Sequence, residues 1–138
     1  MMIAFAWLIA QALTTPLPSP ACVGPDIAIA NVRYTTFRGN ASSPDRIVVA
    51  AHVINVGTAP QTPGIAQHVE LLHDGRVVVS EPVRALRTGE RYLVALRIFR
   101  PIADRKDPLD VIVRYVADDR RARGENCATA NDSLQKIF

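Results

Sequence analysis

After residue 25 no stretch of this chain holds a helical hydrophobic period. Short runs alternate apolar and polar residues instead, and turn-forming residues cut each one off. The sharpest break is His73-Asp74-Gly75-Arg76, set between runs at 67–72 and 77–80. Asp-Gly between two apolar runs is a strong hairpin signal, because a type I′ turn needs positive φ at both central positions. Further runs lie at 26–34, 46–56, 83–86, 92–99, 111–116 and 133–138. Seven or eight short strands with no amphipathic helix predict an all-β fold, an immunoglobulin-like antiparallel β-sandwich of about seven strands.

Within that pattern the strand at 46–56 carries Ile47, Val49, Ala51 and Val53 on one face and Val48, Ala50, Ile54 and Val56 on the other. Two apolar faces predict a central strand covered on both sides. A phase slip at Asn31 predicts a bulge in the first strand. The expected core includes Ile47, Val49, Val53, Val69, Leu71, Leu96, Val111 and Val113. The loops 57–64 and 101–108 are rich in turn residues and charge, and a shared end bearing both is the expected interaction surface.

The first 25 residues contain no charged side chain, and 1–13 form an apolar run followed at once by Thr, Pro and Ser. Such a run is too short for a stable bilayer anchor and reads as an export signal with a Pro-rich leader over 1–21, processed after Ala12 or after Ala21. The domain then occupies 22–138, with no membrane span in its mature form. Its two cysteines, Cys22 and Cys127, stand near the two ends of that domain. In an oxidising compartment they are expected to pair, with parallel pairing of the first and last strands bringing the two sulfurs to the same end; lipid modification of Cys22 after cleavage at Ala21 is the competing reading.

Lys and Arg number 16 against 13 Asp and Glu, for a net charge of +3, and along the chain the two signs intermix. That distribution gives no basic stripe for nucleic acid. Arg120-Arg121-Ala122-Arg123 is the one cluster, expected as a solvated turn. His52, His68 and His73 lie too far out of phase to converge on a metal, and no Gly-x-Ser-x-Gly or Gly-rich phosphate loop is present. Asp118, Asp119, Glu125 and Asp132 offer hard oxygens for Ca²⁺, but the intervening arginines argue against a site. The expectation is therefore no catalytic residues, no metal and no cofactor.

From Pro25 onward the chain resembles the CARDB family of bacterial immunoglobulin-like domains, whose name records a link to cell adhesion. The resemblance runs through Pro25-Asp26, then Val53, Asn55 and Gly57 followed by Thr58-Ala59-Pro60, then Asp74-Gly75 at a hairpin tip. It continues through Leu86, Gly89 and Glu90 and ends on Asp118, Glu125 and Asn131, with Asp132 where the family places a second Asn. The resemblance implies an immunoglobulin-like sandwich, no catalysis and a place outside the cytoplasm (periplasmic or secreted), but no ligand. The expected role is a module for adhesion or protein binding, with a protein or surface glycan as partner. The alternative is a structural or accessory component, chaperone-like or inhibitor-like, of an envelope assembly. On physical grounds Gly57, Gly75 and Gly89 are expected at positive φ. Asn55 is expected to bond loop backbone, and Glu125 and Asn131 to cross-link the final hairpin.

Overall fold

The computed structural model describes residues 22–138; the leader and its two processing sites lie outside the described residues. Two antiparallel sheets face each other. One has three strands, β1 (Ile27–Phe37), β2 (Asp45–Asn55) and β5 (Arg91–Arg100), in the order β1-β2-β5. The other has four, β3 (Gln67–His73), β4 (Arg76–Pro82), β6 (Asp110–Ala117) and β7 (Ser133–Ile137), in the order β4-β3-β6-β7. Residues 83–86, read as a strand, carry no ladder, although Val83 and Leu86 are buried.

Alternation along each strand sends one face into the core. All of the side chains expected there are buried together, Val49, Val53, Val69, Leu71, Leu96, Val111 and Val113 fully so. Each such burial contributes about 1.5–3 kcal/mol. The β3–β4 turn is left-handed at both central residues, with φ 52° at Asp74 and 73° at Gly75, as a type I′ turn requires.

In β1 the expected bulge is present: the register with β2 shifts between Ala30 and Arg33, and Asn31 has φ 54°. Ile27 and Ile29 point inward before it and Val32 after it, so the extra residue reverses the parity of the strand.

Three expectations need correction. β2 is central in its sheet, but only one face is covered, because Val48, Ala50 and Ile54 remain half-buried on the outside and Val56 is exposed. The arginine cluster is a short helix, α1 (Arg120–Gly124), rather than a solvated turn. Asp119 caps it through a 2.7 Å bond from the Ala122 amide, and Ala122 is buried beneath it. Finally, β1 and β7 do not form a ladder; they belong to different sheets and run side by side across one open edge. There Ile29 N–H donates to the Asn131 carbonyl (3.0 Å), and Tyr34 meets Phe138.

Candidate functional site

Most of the motif residues gather at one end of the sandwich, where they bond loops to one another. Asn55 is fully buried and uses its whole hydrogen-bonding capacity. Its Oδ1 accepts from the amides of Asp26 (3.2 Å) and Gly57 (3.0 Å), and its Nδ2 donates to the carbonyls of Ala59 (2.9 Å) and Leu86 (3.1 Å). Gly89 N–H donates to the Asn55 carbonyl, and Asn55 N–H to that of Glu90. Glu90 closes its own turn by accepting from the Arg87 amide and from Arg84, both at 3.0 Å. The Arg87 amide, with Arg84 and Arg87 nearby, holds its carboxyl below the usual range.

Gly75 and Gly89 have positive φ, but Gly57 does not. Gly57 is needed for close approach instead: a Cβ there would strike the Gly24 carbonyl and lie 2.5 Å from the Asp26 amide. Glu125 and Asn131 also act differently from expectation. Glu125 accepts from the Thr62 amide (2.8 Å) and hydroxyl, fastening the 57–64 loop, while Asn131 donates to Asp26 at 3.0 Å. They join the final hairpin to other segments rather than across itself. Asp74 and Gly75 lie at the opposite end of the sandwich.

Cys22 and Cys127 form a disulfide with their Cα atoms 5.8 Å apart, which reports against a free Cys22 for lipid modification. The segment just before β1 and the turn before β7 are brought together there by Cys127 N–H donating to the Pro25 carbonyl. Cys22, Asp26 and Cys127 are the one set among the described residues whose metal-type atoms approach within 4.8 Å, and both sulfurs are consumed by the bridge.

The three histidines have separate partners. His52 Nδ1 lies 3.2 Å from Asn31, His73 Nδ1 lies 3.0 Å from the Asp110 carbonyl, and His68 sits between Asp118 (2.7 Å) and Glu70 (3.2 Å). Asp119 caps α1 and accepts from the Ala66 amide, and Asp132 accepts from Asn126. The four carboxylates weighed for Ca²⁺ therefore point to different partners. A second polar knot went unread in the sequence: buried Gln61 and Gln67 exchange amide bonds, and Tyr115 donates to Gln67 at 2.6 Å. Burial drives the Tyr115 phenol up to about 12. Two glutamines in loop and strand positions gave no periodic signal that could have singled them out.

The loops 57–64 and 101–108 occupy opposite ends, since β2 and β5 are antiparallel with Asp45 opposite Arg100 and Ile54 opposite Arg91. No single end can present both. The 101–108 end is braced by Arg105, which binds Asp45 at 3.0 Å and the carbonyls of Asn40 and Ser43. Beside it lies a cleft of about 370 Å³ lined by His73, Phe99, Arg100, Asp104, Asp107 and Leu109.

The surface that stands out is the outer face of the three-stranded sheet. Register places Phe37, Arg46 and Phe99 in one cross-strand row, and Thr35, Val48 and Arg97 in the next. Then come Arg33, Ala50 and Ala95; Ala30, His52 and Leu93; and Ala28, Ile54 and Arg91. Each row carries one basic side chain, and successive rows lie about 7 Å apart. No outward position in the three strands is acidic: Asp45, their one carboxylate, points inward to Arg105. Among the described residues Arg33, Arg46, Arg91 and Arg97 form no ion pair, and residues 1–21 contain no carboxylate. The intermixing of charge along the chain is thus undone in space. Sequence reasoning missed this face, although each of these arginines is offset by one residue from an inward position, as Arg46 is from Ile47 and Arg97 from Leu96.

This architecture defines an immunoglobulin-like antiparallel β-sandwich. No family model matches the chain, and no curated protein matches it in sequence. Among solved structures it is similar to residues 272–376 of a protein from Methanosarcina acetivorans provisionally described as a cell surface protein. The TM-score is 0.56 at 20% identity, covering 84% of this chain and 91% of that domain. That likeness shows a shared fold. A protein from Bacteroides fragilis provisionally described as a beta-galactosidase is matched at TM-score 0.45 and 18% identity, over 81% of this chain and 15% of that one.

Proposed function

We propose that this chain is a non-catalytic, extracytoplasmic module, as its CARDB resemblance implies, and that it takes a protein or surface-glycan partner on a sheet face. The observation that carries this reading is the exposure of Phe37, Leu93 and Phe99, at 47%, 58% and 72%, together on the outer face of the three-stranded sheet. Clustered exposed apolar side chains ringed by charge are a feature of interaction sites. The Cys22–Cys127 bridge supports an oxidising compartment. The cell surface description of the Methanosarcina protein supports the same placement. Separate partners for His52, His68 and His73 support a role without catalysis or cofactor.

Cross-linking and affinity capture from envelope extract test this reading, with Leu93→Ser/Phe99→Ser as the control. Capture that the control abolishes is the expected result; capture indifferent to these side chains, or none, would sink it. Recovery of a host protein or surface glycan favours adhesion, and recovery of an envelope complex favours the accessory role.

A further inference from the structure

We infer that the outer face of the three-stranded sheet docks an acidic protein segment, whose carboxylates pair with Arg33, Arg46, Arg91 and Arg97 while its apolar side chains cover Phe37 and Phe99. The inference rests on the binding-module reading and adds the partner's chemistry to it.

Charge carries the argument. The formal charge of the whole chain is +3, so without these four arginines the remainder would be net negative. Four of the sixteen Lys and Arg thus stand on one face, at outward positions of all three strands, with no acid among those positions. Glu81 of β4 shares a groove with Leu93 and Arg97 but forms no ion pair with Arg97. In water the mutual repulsion is slight, about 0.4 kcal/mol for a pair of charges ~10 Å apart. Once a partner covers the face, each guanidinium needs a carboxylate, because a desolvated charge without a counter-ion is costly.

The apolar residues select the class of partner. Arg46 lies in the row between Phe37 and Phe99, with its guanidinium 4.5 Å from the Phe37 ring centroid. Stacking of that kind holds the guanidinium plane and leaves its N–H edge free for a bidentate carboxylate. A sulfated glycan or a nucleic acid would satisfy the arginines but leave Leu93 and Phe99 against a hydrated polyanion. A bilayer would bury the phenylalanines only by burying Arg46 in the same row. A protein segment with acidic and apolar residues satisfies both, and arginine with aromatic residues is the composition that protein interfaces favour.

The test uses the ¹⁵N-labelled full chain and two synthetic peptides that share Leu and Phe positions, one with Glu and one with Gln between them. The Glu peptide should shift the amides of β1, β2 and β5, with affinity falling about tenfold between about 50 and about 300 mM NaCl. Arg46→Glu/Arg97→Glu should lower that affinity about tenfold or more at unchanged melting temperature. If the doubly charged variant misfolds, Arg46→Gln/Arg97→Gln reads the same loss. Equal binding of the Gln peptide would overturn the inference, as would shifts confined to α1. So would binding to heparin or anionic phosphatidylglycerol vesicles without binding to the Glu peptide. In the envelope capture, a partner retained by Arg46→Glu/Arg97→Glu overturns the acidic partner while leaving the binding-module reading intact. Absence of any partner removes that reading itself.

Discussion

Arg114 on the four-stranded sheet and Arg97 on the three-stranded sheet both stand mid-strand and face outward, yet among the described residues only Arg114 has ionic partners. It grips Glu70 through Nε at 2.7 Å and again through Nη2. Glu70 in turn lies 3.2 Å from His68, which lies 2.7 Å from Asp118. One sheet thus neutralises its own charge along a chain of four side chains, while the other leaves four arginines unanswered. The contrast teaches that local sequence does not mark an arginine as structural or as available. What decides is whether the neighbouring strand supplies an acid in register, and Arg114 faces Glu70 directly whereas Arg97 faces Val48.

The largest expected effect concerns what keeps the two sheets in one body. The disulfide closes a span of 105 residues, joining the segment before β1 of one sheet to the turn before β7 of the other. In the chain-entropy view that constraint contributes about 4–5 kcal/mol. Reduction should lower the melting temperature by about 10 °C or more, and calorimetry with and without reductant reads it. A change of a degree or less would mean that Asn55 and its neighbours hold the end without the bridge.

Asn55→Ala comes next. It strands two buried amides and two carbonyls at the end bearing the 57–64 loop, and the cost should be about 3 kcal/mol by denaturant titration. Asn55→Asp, which keeps the acceptor but loses the two donated bonds, should recover only part of that.

The direct contrast between the faces is then one substitution made twice. Arg114→Ala removes the main counter-ion of nearly buried Glu70 and should cost about 2 kcal/mol, allowing for the solvent that reaches Arg114. Arg97→Ala should fall within about 0.5 kcal/mol of wild type. Equal costs would erase the distinction drawn here.

The smallest effect is a pH dependence confined to the four-stranded face. Burial pulls the His68 imidazole down, but its hydrogen bonds to Asp118 and Glu70 outweigh this and leave it above its usual 6.5. A histidine raised on folding stabilises fully below its unfolded pKa and loses that contribution as pH rises through the folded value. Melting temperature should therefore fall by about a degree or two between about pH 6 and pH 9. His68→Gln should flatten the slope, and a slope that survives this change would assign it elsewhere. Glu70 has the opposite sense: burial raises it, but Arg114 and His68 outweigh that and hold it below 4.5, so its contribution is lost only as pH falls through that lowered value.

Much of this was legible in the residues themselves. Alternation located the strands and their core faces, Asp74-Gly75 the hairpin, Asn31 the bulge, and the cysteine pair the closure of the domain. These signals are local or nearly so: they depend on pleat parity and on backbone angles that few residues adopt. The reach of Asn55 was legible as a tendency to bond loop backbone, but its four partners come from segments at 26, 57, 59 and 86 that only folding assembles.

Sheet membership was the part that tertiary structure alone decided. Antiparallel pairing put the loops 57–64 and 101–108 at opposite ends, and the division into three and four strands placed β1 and β7 in different sheets. The same pairing set five outward rows side by side and gave each one a basic residue. The bulge at Asn31 turned Arg33 outward with them. A one-dimensional reading sees these arginines spread from position 33 to position 97, with acids between Arg46 and Arg91. Pairing between strands distant in the chain brings the arginines onto one face and carries the acids elsewhere, because register is chosen by burial of the opposite face and not by the charges themselves.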